Sequence, residues 1–138
     1  MAAVLADIDR WFETKLFAPL ERSEDPPGAI RAMIEQVTEY FRSGQRVCLV
    51  GRISLDASGD AFAHQVRGYF ARWITVLAAC LGRGGMTPTA AHALAEETVC
   101  AIQGAIILSR ALGDPTVFTA IVGRHEKLLL DAVAMRRP

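Results

Sequence analysis

Apolar residues recur along this chain at spacings of three and four, and prolines, glycines and polar clusters divide the pattern into helical pieces. The first piece, "MAAVLADIDRWFE", puts Val4, Leu5, Ile8, Trp11, Phe12 and Leu16 on one helix face. It runs to about Leu20, with an interruption near Pro19. No Ser, Thr, Asp or Asn stands ahead of it to accept the first free backbone N–H groups, so it reads as a helix entered from something upstream. "SEDPPG" is a loop in which Asp25 is placed to cap and Pro26 to open a second helix. That helix carries Ile30, Met33, Ile34, Val37, Tyr40 and Phe41, and Gly44 is suited to end it in a left-handed turn.

"RVCLVGRISLDASGD" reads as a bend at Gly51 followed by a brief helix. From Asp60 onward Phe62, Val66, Phe70, Trp73, Ile74, Leu77 and Leu81 form a stripe with a period near 3.6, closed by "GRGG". Thr87 and Pro88 open the next helix as N-cap and first residue, and its second half, Thr98 to Leu108, is apolar on nearly every side. "GDP" at 113–115 stops it and caps a last helix bearing Val117, Phe118, Ile121, Val122, Leu128, Leu129 and Val133. No segment alternates apolar and polar residues long enough for a strand. The expected fold is all-α, one domain of about six helices, with no internal repeat or linker.

Composition agrees with a packed domain: 51% of the 138 residues are apolar and 22% charged. A chain of this length buries roughly 68–70% of its unfolded surface. Lys plus Arg equals Asp plus Glu at 15 each, so the count supplies no positive excess for phosphates, apart from Arg136 and Arg137 in the tail. The chain itself is therefore not expected to bind nucleic acid. Its longest apolar run, Val99 to Leu108, is interrupted by Gln103 and is shorter than a bilayer-spanning segment. With no basic, apolar secretory start, the cytoplasm is the expected compartment and no membrane partner is implied.

The usual catalytic signatures are not in evidence. Cys48, Cys80 and Cys100 are odd in number and set among apolar neighbours, as small buried residues are. His64, His92 and His125 have no second imidazole in register, and His92 with Glu96 at i, i+4 falls short of a four-ligand zinc site. His125 lies in the apolar stripe of the last helix, as a packed or interface histidine does. "GRGG" lacks the strand and third glycine of a dinucleotide fingerprint, and Ser54 lacks the nucleophile-elbow context. No cofactor is implied. The aromatics are more informative: Trp11, Phe12, Tyr40, Phe41, Phe70 and Trp73 all sit on helix faces, where each singly fits the core and together they can line a cavity for an apolar, aromatic ligand.

Three stretches, "VCLVG" at 47–51, "YFARWI" at 69–74 and "AIQGAIILSRALGDP" at 101–115, resemble the C-terminal regulatory domain of TetR-type transcriptional repressors in the LmrA and YxaF branch. The likeness spans essentially the whole chain, although Val47 stands where that family usually has a glycine. The resemblance implies that the first helix leads out of an N-terminal helix-turn-helix reader absent from this chain, through which alone operator DNA is reached. It also implies a homodimer whose last two helices pair with their two-fold mates as a four-helix bundle.

On those terms the ligand site is expected at Trp11, Phe12, Phe41, Cys48, Phe70, Trp73, Leu77, Gln103 and Ile107, with Gln103 as a polar anchor. The dimer interface is expected at Ala101, Ala105, Ile106, Leu108, Phe118, Ile121, Val122, His125, Leu128 and Leu129. Ala101, Gly104, Ala105 and Gly123 allow close backbone approach, and an apolar surface from Thr98 to Leu112 needs more cover than one core provides. The expected function is that of a regulatory domain which binds a small apolar effector and dimerises. A stand-alone helical carrier or sensor is the alternative, and an all-α enzyme has neither acid–base pair nor nucleophile behind it.

Overall fold

A computed structural model of the chain describes residues 10–43 and 60–134. The start of the first stripe, the 47–51 bend with Cys48, Gly44, Ser54 and the Arg136–Arg137 tail lie outside the described residues, as do the side chains of Phe62, His64 and Val66. The described residues are helical, with no strand among them. A π-helical stretch, Phe12–Phe17, leads into α1 (Ala18–Arg22), followed by α2 (Pro26–Ser43), α3 (Asp60–Arg83), α4 (Pro88–Leu112) and α5 (Pro115–Ala134).

The π stretch lies where the sequence places its interruption. A proline ring crowds the carbonyl four residues before it and offers no N–H in return, so regular winding is hardest in the turn ahead of Pro19. The chain widens there: the Ala18 N–H reaches back five residues to the Glu13 carbonyl, and Pro19 falls in the tolerant first turn of α1. Ser23 and Asp25 then turn the chain, the Asp25 N–H donating to Ser23 Oγ at 3.0 Å, and α2 begins at Pro26 as the sequence indicates.

The ends of the long helices follow their local chemistry. Gly85 at φ 106° and Gly113 at φ 64° occupy backbone space that only glycine enters freely. Around each, two bonds close the helix: Met86 N–H to the Leu81 carbonyl with Gly85 N–H to Gly82, and Asp114 N–H to Ser109 with Gly113 N–H to Arg110. Thr87 caps α4 by accepting from the Ala90 N–H at 3.3 Å, and Asp114 accepts from the Thr116 N–H at 3.0 Å as α5 begins.

α4 is the central element, packed along α3 on one side and α5 on the other, while α2 lies against α5 and the first helix rests on α2 and α3. The core where these meet is closed by Trp73, Phe17, Phe118, Leu20, Ile30, Met33, Leu77, Leu81, Ile102 and Leu129. α4 is also long and apolar enough, by composition, to cross a bilayer, with a mean hydropathy of 1.2 over 18 residues. The helix extends well beyond its longest apolar run, Val99 to Leu108. Its setting accounts for part of that apolar character: Ala91, Ala95, Thr98, Val99, Ile102, Ala105 and Ile106 are buried against its neighbours.

Candidate functional site

The first helix, α2, α3 and α4 enclose a cleft beneath the aromatic end of the first helix. Trp11, Phe12 and Leu16 form its roof, Val37 and Tyr40 one wall, Trp73 a second, and Ile102, Gln103 and Ile106 the floor. About 310 Å³ there is free of atoms, counting the part open to solvent, but the enclosed room, about 20 Å³, holds little more than one ordered water. Aromatic rings crowd around it. Trp11 stacks on Tyr40 at 4.0 Å between centroids, Phe12 on Tyr69 at 4.9 Å, and Phe12 meets Trp73 tilted at 6.1 Å. The Trp73 indole N–H donates to Met33 Sδ at 3.4 Å, which fixes that wall from behind. Among the described residues Gln103 is the one amide in an otherwise apolar and aromatic lining, and no charged side chain borders the space.

Of the expected ligand residues, the cleft brings together Trp11, Phe12, Trp73 and Gln103. The others lie elsewhere. Phe41 faces α5, stacked on Phe118 at 4.0 Å with Arg110 over its ring. Phe70 is half-buried beside the core, Leu77 is wholly inside it, and Cys48 lies outside the described residues. Ile107 requires correction, since it is 51% exposed on the outer side of α4. Sequence reasoning passed over Leu16, Val37, Ile102 and Ile106 as lining, and Tyr40 was read only as one of the aromatics. Trp73 offered the signal: Val37 and Tyr40 share a face with Met33, its hydrogen-bond partner, at i+4 and i+7.

The expected interface also needs revision. Ala105, Ile106, Phe118, Val122 and Leu129 are buried within the subunit and cannot face outward. One residue along a helix is 100° of rotation, so a shift of one residue in the phase assigned to α4 exchanges Ile106 with Ile107. The outward face carries Ile107, Leu108 and Leu112 of α4 and Leu128 of α5, 48–66% exposed and the only large apolar side chains that are so among the described residues. Ala101, Ile121 and His125 are half-buried along the same pair of helices. The His125 Nδ1 is buried with no hydrogen-bond partner among the described residues, where a satisfied histidine was expected.

Polar contacts fasten the first helix to α3. Arg72 grips Glu13 with two bonds, Nε to Oε1 at 2.6 Å and an Nη to Oε2 at 3.2 Å, reaches Glu21 at 3.2 Å and lies over the Phe17 ring. The Glu13 hydrogen bond, above all, pushes the guanidinium's pKa above its ordinary value. Arg83 donates to the Leu20 carbonyl. Burial pushes the Cys80 thiol up, with Arg83 opposing and Asp25 adding to the shift. His92 and Glu96 stand 3.6 Å apart in solvent beside a shallow depression with no aromatic wall.

The described residues thus form an all-α domain with an aromatic cleft under its first helix and, on its last two, an apolar face that no other described residue covers. Residues 26–124 match the family of the transcriptional regulator LmrA/YxaF-like C-terminal domain, and the chain belongs to that family of TetR-type regulators. Its role is accordingly a regulatory one. The match begins at Pro26, so the first helix lies outside it. No curated protein matches the chain.

Proposed function

We propose that this domain is the sensing half of a TetR-type repressor: a small apolar, aromatic effector enters the cleft, and the first helix carries its presence to a DNA reader. The observation that supports this most is the make-up of the cleft's roof. Trp11, Phe12 and Leu16 belong to the helix that, in the family, leads from the reader, so a guest between them and Trp73 or Gln103 must displace that helix. Ligand sites run to about 300–1,000 Å³, far above the enclosed room here, so occupancy and helix movement come together. The lining suits a neutral, flat molecule with one hydrogen-bonding group for Gln103.

Dimerisation through the outward face of α4 and α5 completes the reading. Four half-exposed large apolar side chains on one helix pair form the kind of patch that marks an interface, and a two-fold interface is self-complementary. Two readers on such a dimer must meet major grooves roughly 34–36 Å apart. Displacing both first helices breaks that match, with a coupling of typically 1–3 kcal/mol, or about 5- to 150-fold in operator affinity. The domain works in the cytoplasm, where operator DNA is.

The test is a titration of neutral polycyclic aromatics against Trp11 and Trp73 fluorescence, with melting followed in parallel. Saturable quenching that rises with aromatic area and weakens in Gln103→Leu for hydroxylated ligands supports the reading. A library that neither quenches nor raises the melting temperature refutes it.

A further inference from the structure

The first helix presents two adjacent faces to the rest of the domain. Phe12 and Leu16 look into the cleft, while Glu13, Phe17 and Glu21, spaced four apart, meet a single side chain of α3, Arg72. Arg72 directly precedes Trp73, the wall opposite the roof. One turn of α3 therefore holds both the surface a guest would press on and the group that resists the pressing. The contacts on Arg72 are bidentate at Glu13, shared with Glu21 and backed by a ring, the kind of network in which half-exposed ion pairs have measurable strength.

We propose that Arg72 is the latch that holds the first helix shut over the cleft and so sets the affinity for whatever enters it. It is a positioning residue: it lines no part of the cavity and acts only through the helix it grips. Opening requires Glu13 and Glu21 to leave it, so apparent affinity is the affinity of the open form reduced by its population. Removing the grip tightens binding. The pairs are screened by salt, whose reach falls from about 10 Å at 0.1 M to about 3 Å at 1 M, so salt unlatches the native protein too.

The inference rests on reading the cleft as an effector site, and the experiment separates the two ideas. The intact chain, Arg72→Gln, Arg72→Lys and Glu13→Gln are titrated with the neutral fluorophore N-phenyl-1-naphthylamine at both salt concentrations. Hydrogen exchange is measured without any ligand. The latch predicts about two- to fivefold tighter binding in Arg72→Gln and Glu13→Gln, the fold-change that such ion pairs represent, with Arg72→Lys in between. It also predicts that salt tightens binding to the native chain and not to Arg72→Gln. In the ligand-free proteins, exchange accelerates over 12–22 and stays unchanged over 88–112. Equal affinities with an unchanged salt response, exchange over 12–22 that does not move, or exchange that rises equally in both segments overturns the latch. A native chain that takes up no fluorophore removes the cleft reading instead, and the ligand-free exchange still decides the latch.

Discussion

Placing the same substitution on neighbouring residues separates the outward face from the core. Leu128 is 52% exposed on α5 and Leu129 is 0% exposed beside it. In a lone subunit an arginine at 128 keeps its head in water and lays its stem along the helix, a change within about 0.5 kcal/mol. In a dimer closed over this face the same arginine is buried twice, once per copy. An unpaired buried charge costs about 3 kcal/mol or more, so two-fold symmetry brings the loss to about 6 kcal/mol. That is ~10⁴-fold in dissociation constant. Leu129→Arg instead drives a charge into the core, a change of about 4 kcal/mol or more against a typical stability of about 5–15 kcal/mol. Sedimentation velocity and circular dichroism read the two outcomes. Native chain is expected at twice 15.0 kDa, Leu128→Arg at 15.0 kDa with its helices intact, and Leu129→Arg with helicity and cooperative melting lost. A native chain sedimenting at 15.0 kDa, or Leu128→Arg at twice that mass, refutes the interface.

Gly84→Ala places a methyl 2.5 Å from Val133 Cγ1 where α3 ends against α5; a loss of about 1–3 kcal/mol, read by urea unfolding, is expected. Asp114 is more acidic in the folded chain than its ordinary 3.8, because the Thr116 hydroxyl and N–H donate to it. Its contribution is complete above that value and is lost as pH falls through the lower folded one, so melting curves of native chain and Asp114→Asn should converge in strong acid and diverge toward neutrality. Cys100 is exposed while Cys80 is buried with its thiol pushed up, so peptide mapping after brief iodoacetamide treatment should find Cys100 modified and Cys80 protected until denaturant is added.

Helix boundaries were legible because they are set locally. Pro26, Thr87 and Pro88, and Gly113 and Asp114 act on their own backbone, and each starts or stops a helix where the sequence indicates. The phase of α4 was not legible. Amphipathic reasoning needs a polar side to fix the rotation, and α4 reverses the usual cue: Thr98 and Ser109 are buried while Ile107, Leu108 and Leu112 face out. With no wet face to fix it, that rotation emerges only from packing against α3 and α5. The first helix shows the opposite case, since Trp11, Phe12 and Leu16 lie where their spacing places them, yet the π turn depends on how the chain accommodates Pro19. The Arg72 grip joins residues 59 apart, and no periodicity announces it.

α4 borders both candidate sites, which raises the question of which wall yields when the cleft fills. Ile102, Gln103 and Ile106 face the cleft, while Ile107 and Leu108, a fraction of a turn away, face the proposed twin. Moving α4 means unpacking Val99, Ile102 and Ala105 from α3 and α5, side chains that are essentially fully buried, and burial of each large one is worth roughly 1.5–3 kcal/mol. Moving the aromatic end of the first helix means sliding the Trp11–Tyr40 stack, worth about 0.5–1.5 kcal/mol beyond its area. It also means drawing Phe12 and Leu16, which are equally buried, out of the core at a similar cost each, and parting ion pairs whose side chains are 40–51% exposed, each worth about 1 kcal/mol or less. On the proposed function the roof, with fewer large buried side chains to move than α4 has in Val99, Ile102 and Ile106, is the wall that yields. A guest is expected to lift the first helix while the α4–α5 face stays as the frame against which that lift would move a reader.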